Sequence, residues 1–451
     1  MSGTVAIVGS GPSGFFVADM LLKSDIRPTV HMFDRLPTPF GLVRSGVAPD
    51  HPSIKSVSRV FDLIAGHEGF SFFGNVEIGK DIPLDTLRRQ YSAVVLAHGA
   101  SADNDVDAPG RHLDGVISAG KFVGWYNGHP DFADFKPNLN VQDVVIVGHG
   151  NVALDVARIL LTKTALLART DIADHALEEL LTSSVRTVHL VGRRGPLQAS
   201  FTTAEIRELL LKTDGVRVQF EEDALSLSDE DIAELGKPAN ALIKRNVEIM
   251  REAAARQSGE CVRTLKISFL ESLDAVLGSS KMEQVILRKN ELARTNGIVR
   301  AVPTMVQRAI SAGMLVTSVG FSGRPLCGAP FDGGLGRIPN IKGRVLPRGP
   351  QAAPLYAAGW IKRGAHGVIG SNKMDAAETA TAMIEDFQKN KWLVTVPGGL
   401  VDFSLPRHVT FEDWRIIDAA EVEAGRPQNR PRRKIVSIPK MLEMLPARGL
   451  Q

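Results

Sequence analysis

The chain has 451 residues, 44% of them hydrophobic and 23% charged, with a formal net charge of +3. That balance excludes wholesale disorder and makes no electrostatic case for nucleic acid, and no run approaches the roughly 18 apolar residues of a membrane span. The two cysteines, Cys261 and Cys327, lie far apart, which excludes a CxxC dithiol relay and a four-thiolate iron–sulfur cluster within this chain. The length predicts two or three domains, and a first strand beginning by Thr4 leaves no room for a targeting segment, so a cytoplasmic location is expected.

Val/Ile-rich strands are predicted at 4–8, 29–34, 93–97, 144–147, 187–191, 314–319 and 355–358. Helical patterns separate many of them, which predicts an α/β architecture with parallel sheets. The first unit runs strand, Gly9-x-Gly11-x-x-Gly14, a helix over 13–23, and a second strand ending at Asp34. An acid about 20 residues beyond the last glycine is placed to accept hydrogen bonds from an adenosine ribose, so this unit predicts dinucleotide binding.

After "VVLAHGA" (94–100) the chain leaves that sheet and repeats the plan. The strand 144–147 breaks into Gly148-x-Gly150-x-x-Ala153 and continues as an amphipathic helix, and residues 162–184 insert a helical segment, "DHALEELL", into the usual connection. The next strand ends "VGRR", with Arg193 and Arg194 where a ribose-binding acid would stand. A guanidinium fork pairs with a phosphate far better than with a hydroxyl, so the pair predicts a 2′-phosphate and hence NADP(H).

The stretch Thr202-Thr203-Ala204-Glu205 fits a capping box, with Glu205 reaching back to the Thr202 amide. A predicted helix carries the cations Lys244, Arg245 and Arg251, a plausible docking face for an acidic protein, whereas the basic tail "RPRRK" (430–434) reads as ordinary surface. The chain returns near "SVGFSGRP" (318–325) and ends its core with "LYAAGWIKRGAHGVIGSNKMDAAETATAMIEDF" (355–387), a strand, a glycine-rich turn and a long helix. The positive end of that helix suits the electron-rich edge of a flavin. Two turns then hold two nucleotides, a resident flavin and a visiting nicotinamide.

The strings "PTPFGLVRSGVAPDHPSIK" (37–55), "FVGWYNGHPDF" (122–132), "GHGNVALDVARILL" (148–161), "VGRRGPLQASFTTAEIREL" (191–209) and "GWIKRGAHGVIGSNK" (359–373) resemble the adrenodoxin-reductase-like ferredoxin–NADP reductases, the bacterial ones above all. The resemblance covers nearly the whole chain. It implies two Rossmann-like domains, with an NADP domain (104–323) inserted into a discontinuous FAD domain (1–103 and 324–451, the latter with a C-terminal extension). It also implies hydride transfer from NADPH to flavin N5, followed by single-electron transfer to a ferredoxin, an acidic iron–sulfur protein. No metal ligand set is expected.

Carried over by motif, the flavin contacts beside Gly9, Gly11, Gly14 and Asp34 are Leu42, Val76, Trp360, Gly367, Val368 and Ile369. For NADP(H) they are His149, Gly150, Asn151, Val152, Arg193, Arg194 and Glu205, with Gly367 shared near the nicotinamide. His51 resembles a histidine near the flavin that orients the nicotinamide or relays protons, and Glu205 one near the carboxamide. Asp34 stands where relatives often carry Glu, and Ala365-His366 where they usually carry Pro-Thr, which leaves that turn's geometry open. A flavin monooxygenase, an NADPH diaphorase and a non-catalytic NADP-binding redox sensor are the alternative readings.

Overall fold

The computed structural model describes residues 3–256, 261–296, 298–346, 352–367, 369–393 and 407–446. The chain forms two compact units: Met1–Ala102 with Asn127–Pro130 and Gly320–Gln451, and Asp103–Tyr126 with Asp131–Val319.

In the first unit the strand Thr4–Val8 is wholly buried, as expected of an apolar run covered on both faces of a sheet. It sits between Thr29–Phe33 and Ala93–Leu96, and the parallel part of the sheet continues to Phe70–Phe73 on one side and Leu355–Ala357 on the other. The chain direction of the connections reverses between Thr4–Val8 and Ala93–Leu96, the switch point where α/β sheets bind ligands. Two short antiparallel strands, Asn340–Ile341 and Arg344–Val345, extend the far edge, which the expectation of purely parallel sheets did not include.

The helices Pro12–Lys23 and Ile369–Gln388 pack together beside that sheet. Their core is rich in phenylalanine, with Phe15 stacked on Phe61 at 4.8 Å. The late helix Phe411–Gly425 starts with a complete capping box between Thr410 and Asp413 and buries Phe411, Trp414 and Ile417 in the same core.

The second unit is built on six parallel strands in the order Val116–Ser118, Met314–Thr317, Asp143–Val147, Thr187–Val191, Arg263–Ser268 and Val216–Phe220. The insertion is helical as expected, forming Thr164–Leu167 and Asp174–Leu181. Unexpected from the sequence reading is a separate antiparallel sheet of Glu271–Gly278, Met282–Thr295 and Ile298–Ser311. Its signal was local: an Asn-Gly pair at 296–297 between two runs of β-branched residues, with Asn296 at φ +50°.

Candidate functional site

The two glycine turns are built alike. Gly9 donates its amide to Phe33 O and Gly148 to Val191 O, each at 2.8 Å. Each first glycine has positive φ, +109° and +133°. A Cβ on Gly9 would lie 2.5 Å from Ala97 O, and one on Gly148 would overlap Ser318 O, in each case just beyond the neighbouring strand at the switch point. Only glycine fits these corners.

The other small residues divide their tasks. A Cβ on Gly14 would overlap Gly9 O, so this residue lets the helix close on the turn, and Ala153 plays the same part fully buried. A Cβ on Gly11 would meet nothing within 4 Å, and one on Gly150 only Ser200 Oγ at 3.6 Å. These are the open faces. Both following helices lack a side-chain cap, leaving first-turn amides available to an anion.

In the first unit the carboxylate of Asp34 is held ready rather than loose. Ser10 donates its amide (3.0 Å) and its hydroxyl (2.5 Å) to Oδ2, and Leu36 N donates to Oδ1 at 3.0 Å. A carboxylate has about four acceptor positions, so capacity remains for a ribose hydroxyl. Ser10 is the contributor the sequence reading missed; a hydroxyl between two motif glycines was its only signal. Leu42 is 47% exposed at the start of the short helix Leu42–Ser45, on the segment that crosses the turn, where a Cβ on Gly41 would lie 3.0 Å from Gly11 Cα. Val76 is buried and its amide donates to Asp34 O at 2.9 Å. His51, also buried, starts the helix Pro52–Lys55 at the far end of that segment, its amide donating to Ala48 O.

The late element docks on the first glycine helix. Ser13 Oγ bonds Asn372 Oδ1 at 3.2 Å, and a Cβ on Gly359 would overlap Ser13 Oγ. Trp360 stacks on Phe321 with ring centroids 6.3 Å apart, and its buried Nε1 has no partner among the described residues. Gly367 has φ +85° and is exposed, and Ile369 begins the long helix half-buried against the core. Val368 lies outside the described residues. His366 is exposed, and its carbonyl accepts from Arg363.

In the second unit His149 is buried, with Nε2 against Leu190 O at 3.3 Å and its ring edge-on to Phe269 at 4.7 Å. Burial pushes its pKa down to about 4, so it is a neutral wall of the turn. Its carbonyl accepts from the amide and hydroxyl of Ser200. Asn151 and Val152 open the helix half-buried, and Asn151 Oδ1 accepts the Thr202 amide at 2.8 Å.

That bond corrects the capping-box expectation. The helix Thr203–Arg207 has no side-chain cap from Thr202, and the Thr202 amide that Glu205 was to accept from is already taken. Glu205 instead lies buried within 3.5 Å of the Arg158 guanidinium, which also meets Asp155 at 2.9 Å. Arg193 is exposed and Arg194 half-exposed, and neither guanidinium has an ion-pair or hydrogen-bond partner among the described residues. Two uncommitted forks beside an open glycine turn fit a phosphate.

Both cofactor classes thus meet residues that suit them. Among the described residues, the first unit offers an open glycine, a poised carboxylate and an indole N–H without a partner, matching FAD; the second offers an open glycine and two guanidinia without a partner, matching NADP(H).

Lys244, Arg245 and Arg251 are exposed on the helix Ala241–Ala255, although Arg245 is paired with Glu248 at 2.8 Å. The tail basics turn inward: Arg430 and Lys434 are buried, and Arg432 pairs with Asp418 and Glu421. Both cysteines are free.

A sequence profile of the family described as pyridine nucleotide-disulphide oxidoreductase matches residues 3–243. The chain is 44% identical over 458 aligned residues to the NADPH-ferredoxin reductase FprA of Mycobacterium tuberculosis, with 98% of each covered. It is 42% identical to the mitochondrial NADPH:adrenodoxin oxidoreductase of Arabidopsis thaliana, covering 96% of this chain and 93% of that one. The solved structure of Mycobacterium tuberculosis FprA in complex with NADPH matches with a TM-score of 0.92 at 43% identity, covering 98% of this chain and 99% of that one.

Proposed function

The chain belongs to the adrenodoxin-reductase-like ferredoxin–NADP reductases, and from that premise we propose where each cofactor sits and which residues serve the reaction. It is an NADPH-dependent flavoprotein oxidoreductase whose partner is an iron–sulfur ferredoxin. FAD accepts the electron pair of a hydride and releases electrons singly, which joins NADPH to a one-electron iron–sulfur centre.

The discontinuous unit is assigned to FAD and the nested unit to NADP(H). Gly9, Gly11 and Gly14 shape the turn for the FAD pyrophosphate, and Asp34 accepts from the ribose. Leu42 and Val76 contact the FAD, and Trp360, Gly367 and Ile369 border its ring system. In the nested unit Gly150, Asn151 and Val152 present the helix start to the second pyrophosphate, with His149 as the neutral wall behind it. Arg193 and Arg194 take the 2′-phosphate. Glu205, its charge balanced by Arg158, receives the carboxamide, and His51 holds or moves a proton on the flavin side. An acidic ferredoxin docks on the helix bearing Lys244, Arg245 and Arg251, and the reaction takes place in the cytoplasm.

The observation that carries this reading is the contrast between the two second strands. One ends in a carboxylate already oriented by Ser10, the other in two guanidinia with no partner among the described residues. The test is the visible flavin spectrum of the purified protein, followed by NADPH-driven cytochrome c reduction with and without a [2Fe–2S] ferredoxin. Bound FAD and ferredoxin-stimulated turnover are expected. A flavin-free protein, or turnover indifferent to ferredoxin, would overturn it.

A further inference from the structure

The segment that crosses the first glycine turn is strained at one end and clamped at the other. Phe40 donates its amide to Ser10 O at 3.0 Å yet adopts φ +83°, a region that disfavours a side chain. Its ring is held 6.3 Å from Phe411 and 5.9 Å from Trp414, both on the late helix Phe411–Gly425. Four residues on, Arg44 forks onto Glu421 of that helix at 2.8 and 2.5 Å, its guanidinium lying 5.1 Å from the centre of the Trp414 ring.

Glu421 is fully enclosed and every contact ties it down. It also accepts from Arg432 Nη1 at 3.3 Å and from the Ile435 amide at 2.8 Å, and Lys434 Nζ reaches Arg44 O at 3.2 Å. Burial alone would push the Glu421 carboxyl up, but Arg44 and Arg432 beside it hold it below the usual carboxylate range. A buried bidentate pair fixes geometry more than it adds stability. The geometry it fixes is that of Phe40–Arg44, which contains Gly41 above Gly11 and the exposed Leu42.

We infer that Glu421 is a positioning residue for FAD, acting through Arg44 to hold the Phe40–Arg44 segment over the cofactor's pyrophosphate turn. The inference rests on the assignment of FAD to that turn. A residue of the late helix Phe411–Gly425 thereby helps to shape the cofactor site.

The test compares the FAD dissociation constant, measured by reconstituting flavin-depleted protein, with the NADP(H) affinity of the holoprotein. In Glu421→Gln the FAD dissociation constant is expected to rise by roughly tenfold or more, with NADP(H) affinity unchanged. General destabilisation would move both. The double variant Arg44→Met/Glu421→Met removes both charges and leaves no buried ion unpaired. It is expected to keep native helical content and still lose FAD, whereas unchanged FAD affinity in either folded variant would overturn the inference. If both fail to fold, Arg44→Lys, which keeps a positive charge opposite Glu421 but loses the two-pronged contact, carries the test with the same two outcomes. Gly11→Val separates the two levels: FAD binding that survives it refutes the site assignment, not merely the role of Glu421.

Discussion

Asn290 donates its side-chain amide to the main-chain carbonyl of Arg193 at 2.9 Å. It comes from the antiparallel sheet, is 2% exposed, and is itself fixed by Ser272 Oγ at 3.1 Å and by its own amide on Leu270 O. The strand end that carries the two arginines is thus held by a residue nearly a hundred positions later. Asn290→Ala should raise the KM for NADPH several-fold, leave kcat near its native value, and affect NADH less. Equal effects on both nucleotides would assign Asn290 to stability alone.

Arg193 and Arg194 themselves are expected to set the choice of nucleotide. Charge-assisted hydrogen bonds of about 1.5–3 kcal/mol should give NADPH at least a roughly tenfold advantage over NADH. Replacing both with Ala should raise the KM for NADPH and leave that for NADH little changed. Steady-state kinetics with the two nucleotides decides it, and a parallel loss with both would remove the phosphate role.

Gly11 and Gly14 are expected to fail differently. Nothing crowds a Cβ at Gly11, so Gly11→Ala should leave the flavin-free protein as stable as the native one while lowering its affinity for FAD. A Cβ at Gly14 overlaps Gly9 O, so Gly14→Ala should lower stability as well, by about 1–3 kcal/mol for an overpacked site. Urea unfolding of the flavin-free proteins beside FAD titration separates the two.

Docking of an acidic partner on exposed cations is sensitive to screening. Ferredoxin-dependent turnover should fall between low and physiological ionic strength more steeply than ferricyanide reduction. Lys244 has no partner among the described residues, whereas Arg245 is paired with Glu248, so Lys244→Glu should raise the ferredoxin KM more than Arg245→Glu. Unchanged KM in both places the docking face elsewhere.

His149 makes the protein sensitive to acid. Its pKa is pushed down to about 4 by burial, so between pH 6.5 and 4 the unfolded chain binds a proton that the native state refuses. Stability from this residue is complete above pH 6.5 and declines as pH falls, by about 2 kcal/mol at pH 5. His31, likewise pushed down to about 4 by burial, acts with the same sign in the other unit. Chemical unfolding at pH 7 and pH 5 should show a smaller acid loss in His149→Gln than in the native protein. Identical losses would exclude His149 as a source.

Local signals made much of this protein legible in its sequence. The turn glycines, the strands feeding them, the acid at 34 and the arginine pair at 193–194 are all set by short-range sterics and by charge at a strand end, and each was read at its own position. Asn290, Arg44 and Glu421 carried no such signal, and Ser10 only a hydroxyl between two motif glycines. Their partners lie 24, 97 and 377 residues away, and only the packed fold brings them within hydrogen-bond reach. The Thr202–Glu205 capping box is the instructive failure. Its spacing was right, but a local hydrogen bond forms only if nothing better reaches the donor first, and Asn151, brought up by the preceding glycine turn, already held it.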